Sequence, residues 1–274
     1  MSGAGGARIR TVDVLPQIGV ASALCSATLV EFTIPQITKL SLTSSAPLPA
    51  AALPARLAIQ ARALGPQTAI TCFQFALVRE ARSLIDAAVG PNPANQALAY
   101  GAASVPLISL KYNMLFSSVY SHFKLEPPEV PGETRAQFWW RQWETKVRPG
   151  LAWSYLRDTG SIGGAVVLGP LVAARIRDLA QPGCDTAQPP SRALQFGAGL
   201  LTGCATGLAT QTFHNAALTA GRMAGLGERP TTASCMRRLL AEQGPKAVYL
   251  NFPPRVGVIA SWSAILNVTQ PFQV

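Results

Sequence analysis

The chain has 274 residues, of which 13% are charged and 49% hydrophobic, with a formal net charge of +10 at pH 7. Soluble domains carry about 25% charged residues, so this composition argues against an ordinary water-facing surface and for a membrane protein. Nucleic-acid binders gather Lys and Arg on one polar face. Here the basic residues sit mostly between apolar runs, an arrangement suited to anionic lipid headgroups, and no nucleic-acid partner is expected.

Six apolar segments follow in chain order, at roughly 16–43, 60–88, 94–123, 150–180, 192–223 and 250–270. Each is long enough for a hydrocarbon core that needs about 20 helical residues. All are rich in Gly, Ala, Ser and Thr, which lets helices pack closely on one another. In the fifth, Gly199, Gly203 and Gly207 recur at four-residue spacing on one helical face. The stretches after the first, third and fifth segments are longer and polar. Counted with the adjoining segment ends, that side holds about 16 of the 23 Lys and Arg, marking it as the side that is not translocated.

The even segments share an opening pattern of Arg, then Gly or Ser, then Ala and an apolar helix. It runs from Arg62, from Tyr155 and from Phe252-Pro253-Pro254-Arg255. The first and third segments share a proline followed by polar residues, around Pro35 and Pro106. Before the last segment, Thr231 to Gly244 reads as a short basic amphipathic helix closed by glycine. Phe138 to Lys146 is its counterpart in the middle of the chain. The whole chain therefore reads as one domain, residues 1–274, built of three units of roughly 90 residues (about 15–90, 91–182 and 190–274).

On these residues the chain resembles the mitochondrial carrier family, most strongly over Met236 to Val268 and over Leu64 to Arg82. The resemblance implies an all-α membrane protein with six transmembrane helices in three pseudo-repeats. It also implies a multi-pass place in the mitochondrial inner membrane, both termini toward the intermembrane space, with bound cardiolipin and no other cofactor. Carriers hold P-x-[DE]-x-x-[KR] in each odd helix, and three ion pairs close the matrix side. Here the matching positions are Pro35, Ile37 and Leu40, then Pro106, Ile108 and Lys111, then Thr212, His214 and Ala217. The implied pairs are Ile37 with Lys111, Ile108 with Ala217, and His214 with Leu40, and none is ionic. A surface helix of the first unit is expected to be missing at Ser44 to Ala55. The aromatic–base–glycine turn of the family is replaced by Tyr249-Leu250-Asn251.

Candidate cavity groups are Glu31, Lys111, Arg157, His214 and Arg255, because an ionisable side chain at membrane depth marks a site by default. Each has a plainer reading. Glu31 could touch a substrate or Lys111, or bond to a neighbouring helix. Lys111 could bind an anion or snorkel. His214 reads as a packing residue. Trp139, Trp140, Trp143 and Trp153 suit an interfacial belt. The five cysteines form no C-x-x-C pair, no metal site is expected, and no hydrolytic or phosphate-binding motif occurs, so no enzyme is expected. Two functions remain: a transport-inactive structural subunit of a respiratory or ATP-synthase assembly, partnered by membrane subunits and anionic lipid, or a divergent active solute carrier. An unrelated six-helix bundle is the third reading.

Overall fold

The computed structural model describes residues 11–39, 53–123, 130–144, 148–182, 189–225 and 228–269. Among them the regular structure is all helical, with no strand. Helices α1 (Leu15–Lys39), α2 (Leu53–Val89) and α3 (Pro93–Phe123) are long rods. α2 starts earlier than its apolar run because an Ala- and Leu-rich turn of high helix propensity precedes it, and Arg56 and Gln60 of that turn both engage Glu31 on α1. Gly90, at φ +73°, ends α2, and the Asn92 side chain then accepts the Ala94 and Asn95 amides to start α3.

The short helix α4 (Arg135–Gln142) is set by a reciprocal capping box between Thr134 and Gln137. The fourth rod is α5 (Leu151–Ile162), a π-helical turn (Gly163–Leu168) and α6 (Gly169–Ala180). π turns are rare inside helices. This one sits where glycines let other rods approach: a Cβ on Gly163 would lie 2.5 Å from Ala97, and one on Gly164 2.6 Å from Thr206. The fifth rod, α7 (Arg192–Ala209) and α8 (Gln211–Gly225), bends at Thr210. This bend is two residues before Thr212, the position expected to act as helix breaker. α9 (Thr232–Gln243) has its own capping box and stops at Gly244, φ +53°, as its pattern predicts. α10 (Phe252–Thr269) begins at Phe252. Pro35 and Pro106 both lie within unbroken helices.

Each long rod packs on its chain neighbours, and α10 packs back on α1, so the six rods close into a ring in chain order. The tightest seam joins α7 and α10. Cβ atoms at Gly199 and Gly203 would lie 2.7 and 2.5 Å from the Cα atoms of Ala264 and Ala260. Ile18, Cys25, Phe75, Tyr100, Val167 and Leu266 meet in one core inside the ring. Two stretches, Leu15–Ile34 and Leu151–Ala180, are long and apolar enough to cross a membrane. The other rods carry polar side chains that the ring buries: Gln67, Thr71, Gln74 and Arg79 on α2, Lys111 on α3, and Arg255 and Asn267 on α10. The expected missing surface helix falls largely on residues outside those described, as do Leu40 and Cys184.

Candidate functional site

The centre of the ring is polar. On α2, Gln67, Thr71 and Gln74 share one face at i, i+4 and i+7 and are all buried. Opposite them on α3 stands Lys111, with no exposed surface. Its Nζ donates to Gln74 Oε1 at 2.5 Å and to Thr71 Oγ1 at 3.4 Å. The ammonium also lies 4.6 Å from the centre of the Trp262 ring on α10, a cation–π contact. Trp262 is fixed in turn, donating Nε1–H to the Cys25 carbonyl at 2.7 Å and meeting Phe75 edge-on. Ser26 donates to Thr71 at 3.1 Å, and the Gln67 amide donates to the Lys111 carbonyl at 2.6 Å. One network thus ties four rods together.

A second group lies beside it. Arg157 and Asp158, neighbours on α5, form a buried two-point ion pair at 2.6 and 2.8 Å. Arg255 donates to Ser161 at 3.0 Å and to Thr210 at 3.2 Å, across the bend of the fifth rod. Buried His214 lies within the electrostatic reach of Arg255 and Arg157.

Between the two groups is a chamber of about 50 Å³ lined by Gln74, Ser104, Lys111, Asp158, Ser161 and Arg255 among largely apolar walls. Small-molecule sites usually measure about 300–1,000 Å³, so this chamber holds a few waters or one small ion. A wider vestibule of about 340 Å³ lies next to it, lined by Arg82, Gln96 and Tyr100. Ala165, Val166 and Leu266 line both spaces. Tyr100 Oη and Gln96 Nε2 both donate to Asp86, at 2.9 and 3.1 Å.

The structure brings Lys111, Arg255 and Ile108 together at the chamber. Glu31 is not there. It faces α2, paired with Arg56 and Gln60, and lines a separate groove between α1 and α2. The partners that hold Lys111 are an amide, a hydroxyl and an indole. Thr212 and Ala217 are half-buried on α8, and Pro106 is exposed. Sequence reasoning missed Gln74, Asp158 and Trp262. The signal for the first was the polar stripe Gln67, Thr71 and Gln74 inside an apolar segment.

The surface helices are bound to the ring by specific contacts. Trp153 donates to the Thr232 carbonyl at 2.8 Å and stacks on Phe213, so it joins α5, α8 and α9 instead of standing in a belt. Asn215 donates to the carbonyls of Ala247 and Leu250, at 2.9 and 2.8 Å, and Gln211 also donates to Leu250. Asn251 supplies the left-handed turn, φ +58°, that a glycine would otherwise take. On α9, burial pushes the Cys235 thiol up to about 11. On α4, Arg141 donates twice to Glu133 just before the helix, at 2.8 and 2.6 Å, and holds that carboxyl below its ordinary value. No group of three or more His, Cys, Asp or Glu able to hold a metal occurs among the described residues. No protein-family model, no curated protein and no solved structure matches the chain.

Proposed function

We propose that this chain is a carrier-type ring of six membrane-spanning helices that serves as a structural subunit of a mitochondrial inner-membrane assembly, of the respiratory chain or of ATP synthase. It is a multi-pass protein with both termini toward the intermembrane space. It contacts neighbouring membrane subunits and cardiolipin, and it is neither an enzyme nor a nucleic-acid binder. The observation that carries this reading is the filled axis. Trp262, Gln74 and Lys111 occupy the centre of the ring and leave about 50 Å³, too little for a metabolite. Alternating access needs a central site that opens to each side in turn. The motif positions support the same view, because Ile108 and Ala217 carry no charge with which to open and close a gate.

A second reading, a divergent active carrier, is favoured by one feature. The 340 Å³ vestibule beside the chamber is of a size that a small solute fills.

The deciding experiment is native electrophoresis of gently solubilised mitochondria, probed for this chain. Co-migration with a respiratory or ATP-synthase assembly at fixed stoichiometry supports the structural reading. Migration as a free species, with counter-flow of a nucleotide, carboxylate or amino acid in liposomes, replaces it with transport.

A further inference from the structure

Among the described residues the buried charged side chains are Arg79, Lys111, Arg157, Arg255 and Asp158. Three of these cations and the lone carboxylate surround the small chamber or touch the groups that line it. Arg157 takes both oxygens of Asp158. The ammonium of Lys111 is held by neutral acceptors and an aromatic face. A buried ammonium held by neutral groups in an interior of low dielectric is costly unless it is compensated by an opposite charge or hydration.

The chamber carries a second mark. Ser104 lies on the same face of α3 as Ile108 and Lys111, and all three line the cavity. The Ser104 hydroxyl is fully buried and has no hydrogen-bond partner. Buried hydroxyls in native proteins are almost always partnered. Leu29, Val258 and Ile259 form part of the remaining wall and offer a guest nothing polar. An ammonium, a guanidinium and a hydroxyl donor thus line one space of about 50 Å³, together with Gln74, Ser161 and the Asp158 carboxylate, whose two oxygens are taken by Arg157.

We propose that this chamber binds a single small inorganic anion of the halide class, held by Lys111, Arg255 and the Ser104 hydroxyl. The anion offsets the charge of Lys111 and gives Ser104 an acceptor. Its size matches the cavity, whereas a carboxylate metabolite or nucleotide does not fit. Such an ion is bound whether or not the ring transports a solute.

The test uses the full chain purified in a neutral detergent, with chloride as the probe. Equilibrium dialysis with radioactive chloride counts the ions bound. Thermal unfolding, read by a thiol-reactive dye that reports exposure of buried Cys25 and Cys235, compares chloride with gluconate at fixed ionic strength. The expected result is one saturable chloride per chain and a melting temperature a few degrees higher in chloride. Ser104→Ala should weaken binding about tenfold by removing one hydrogen bond to a charged partner. Lys111→Met should abolish binding. If Lys111→Met does not fold, Ser104→Ala decides alone. Absence of saturable binding, or binding unchanged in Ser104→Ala, overturns the proposal and leaves water as the occupant.

Discussion

Lys111 Nζ and Gln74 Oε1 stand 2.5 Å apart, both buried, so a central cation of the ring is held by an amide. An amide satisfies an ammonium without neutralising it. The arrangement makes the two residues unequal. Removing the acceptor leaves a buried charge with one partner fewer, while removing the lysine leaves only a neutral oxygen unpaired.

Gln74→Leu should therefore destabilise the chain by about 2 kcal/mol or more. Adding Lys111→Met to it should restore part of the loss. The double-mutant cycle is measured by thermal unfolding in detergent, and strictly additive effects would show that the two side chains do not interact.

The α7–α10 seam separates two glycines on one helix. Gly203→Ala places a methyl 2.5 Å from Ala260 Cα and 2.7 Å from the Ile259 carbonyl. Backbone cannot give way cheaply, so a loss of about 1–3 kcal/mol is expected. Gly197→Ala meets nothing within 4 Å and should be neutral or stabilising by up to about 1 kcal/mol. Equal behaviour of the two variants would mean that α7 and α10 do not pack by this face.

Asn215 clamps the turn between α9 and α10 through two carbonyls. Asn215→Ala should cost about 1–3 kcal/mol. It should also open the segment 244–251 to limited proteolysis, with cleavage mapped by mass spectrometry. Unchanged protection there would assign the clamp to other contacts.

The Glu133–Arg141 pair gives a pH dependence outside the ring of rods. Hydrogen bonding from Arg141 lowers the Glu133 carboxyl from its ordinary value of 4.5 when the segment is folded. The stabilisation it contributes is therefore fully present above the unfolded value and is lost as pH falls through the depressed one. Acidification below the unfolded carboxyl value should loosen α4. Fluorescence of Trp139 and Trp140, both exposed on α4, should follow it, and Glu133→Gln should remove the transition.

Element positions were legible because they rest on local chemistry. Apolar runs, the Thr231 cap, Gly244 and Phe252-Pro253-Pro254 each act within a few residues, and α9 and α10 begin and end where those residues stand. Glu31 was not legible in this way. Its partners, Arg56 and Gln60, come from another rod, so nothing adjacent in the chain points to them. The bend at Thr210 is set by tertiary fit: Thr210 accepts from Arg255, and Gln211 donates to Leu250. Trp262 reads as one apolar residue among many until the ring closes around it.

That closure has a consequence for how the molecule is made. The hydrogen bond from Trp262 to the Cys25 carbonyl joins residues 237 apart in the chain. Contacts of such long sequence separation form late and slowly. α1 emerges long before α10 and keeps an incomplete inner surface over that interval. Only α10 supplies the indole that finishes it.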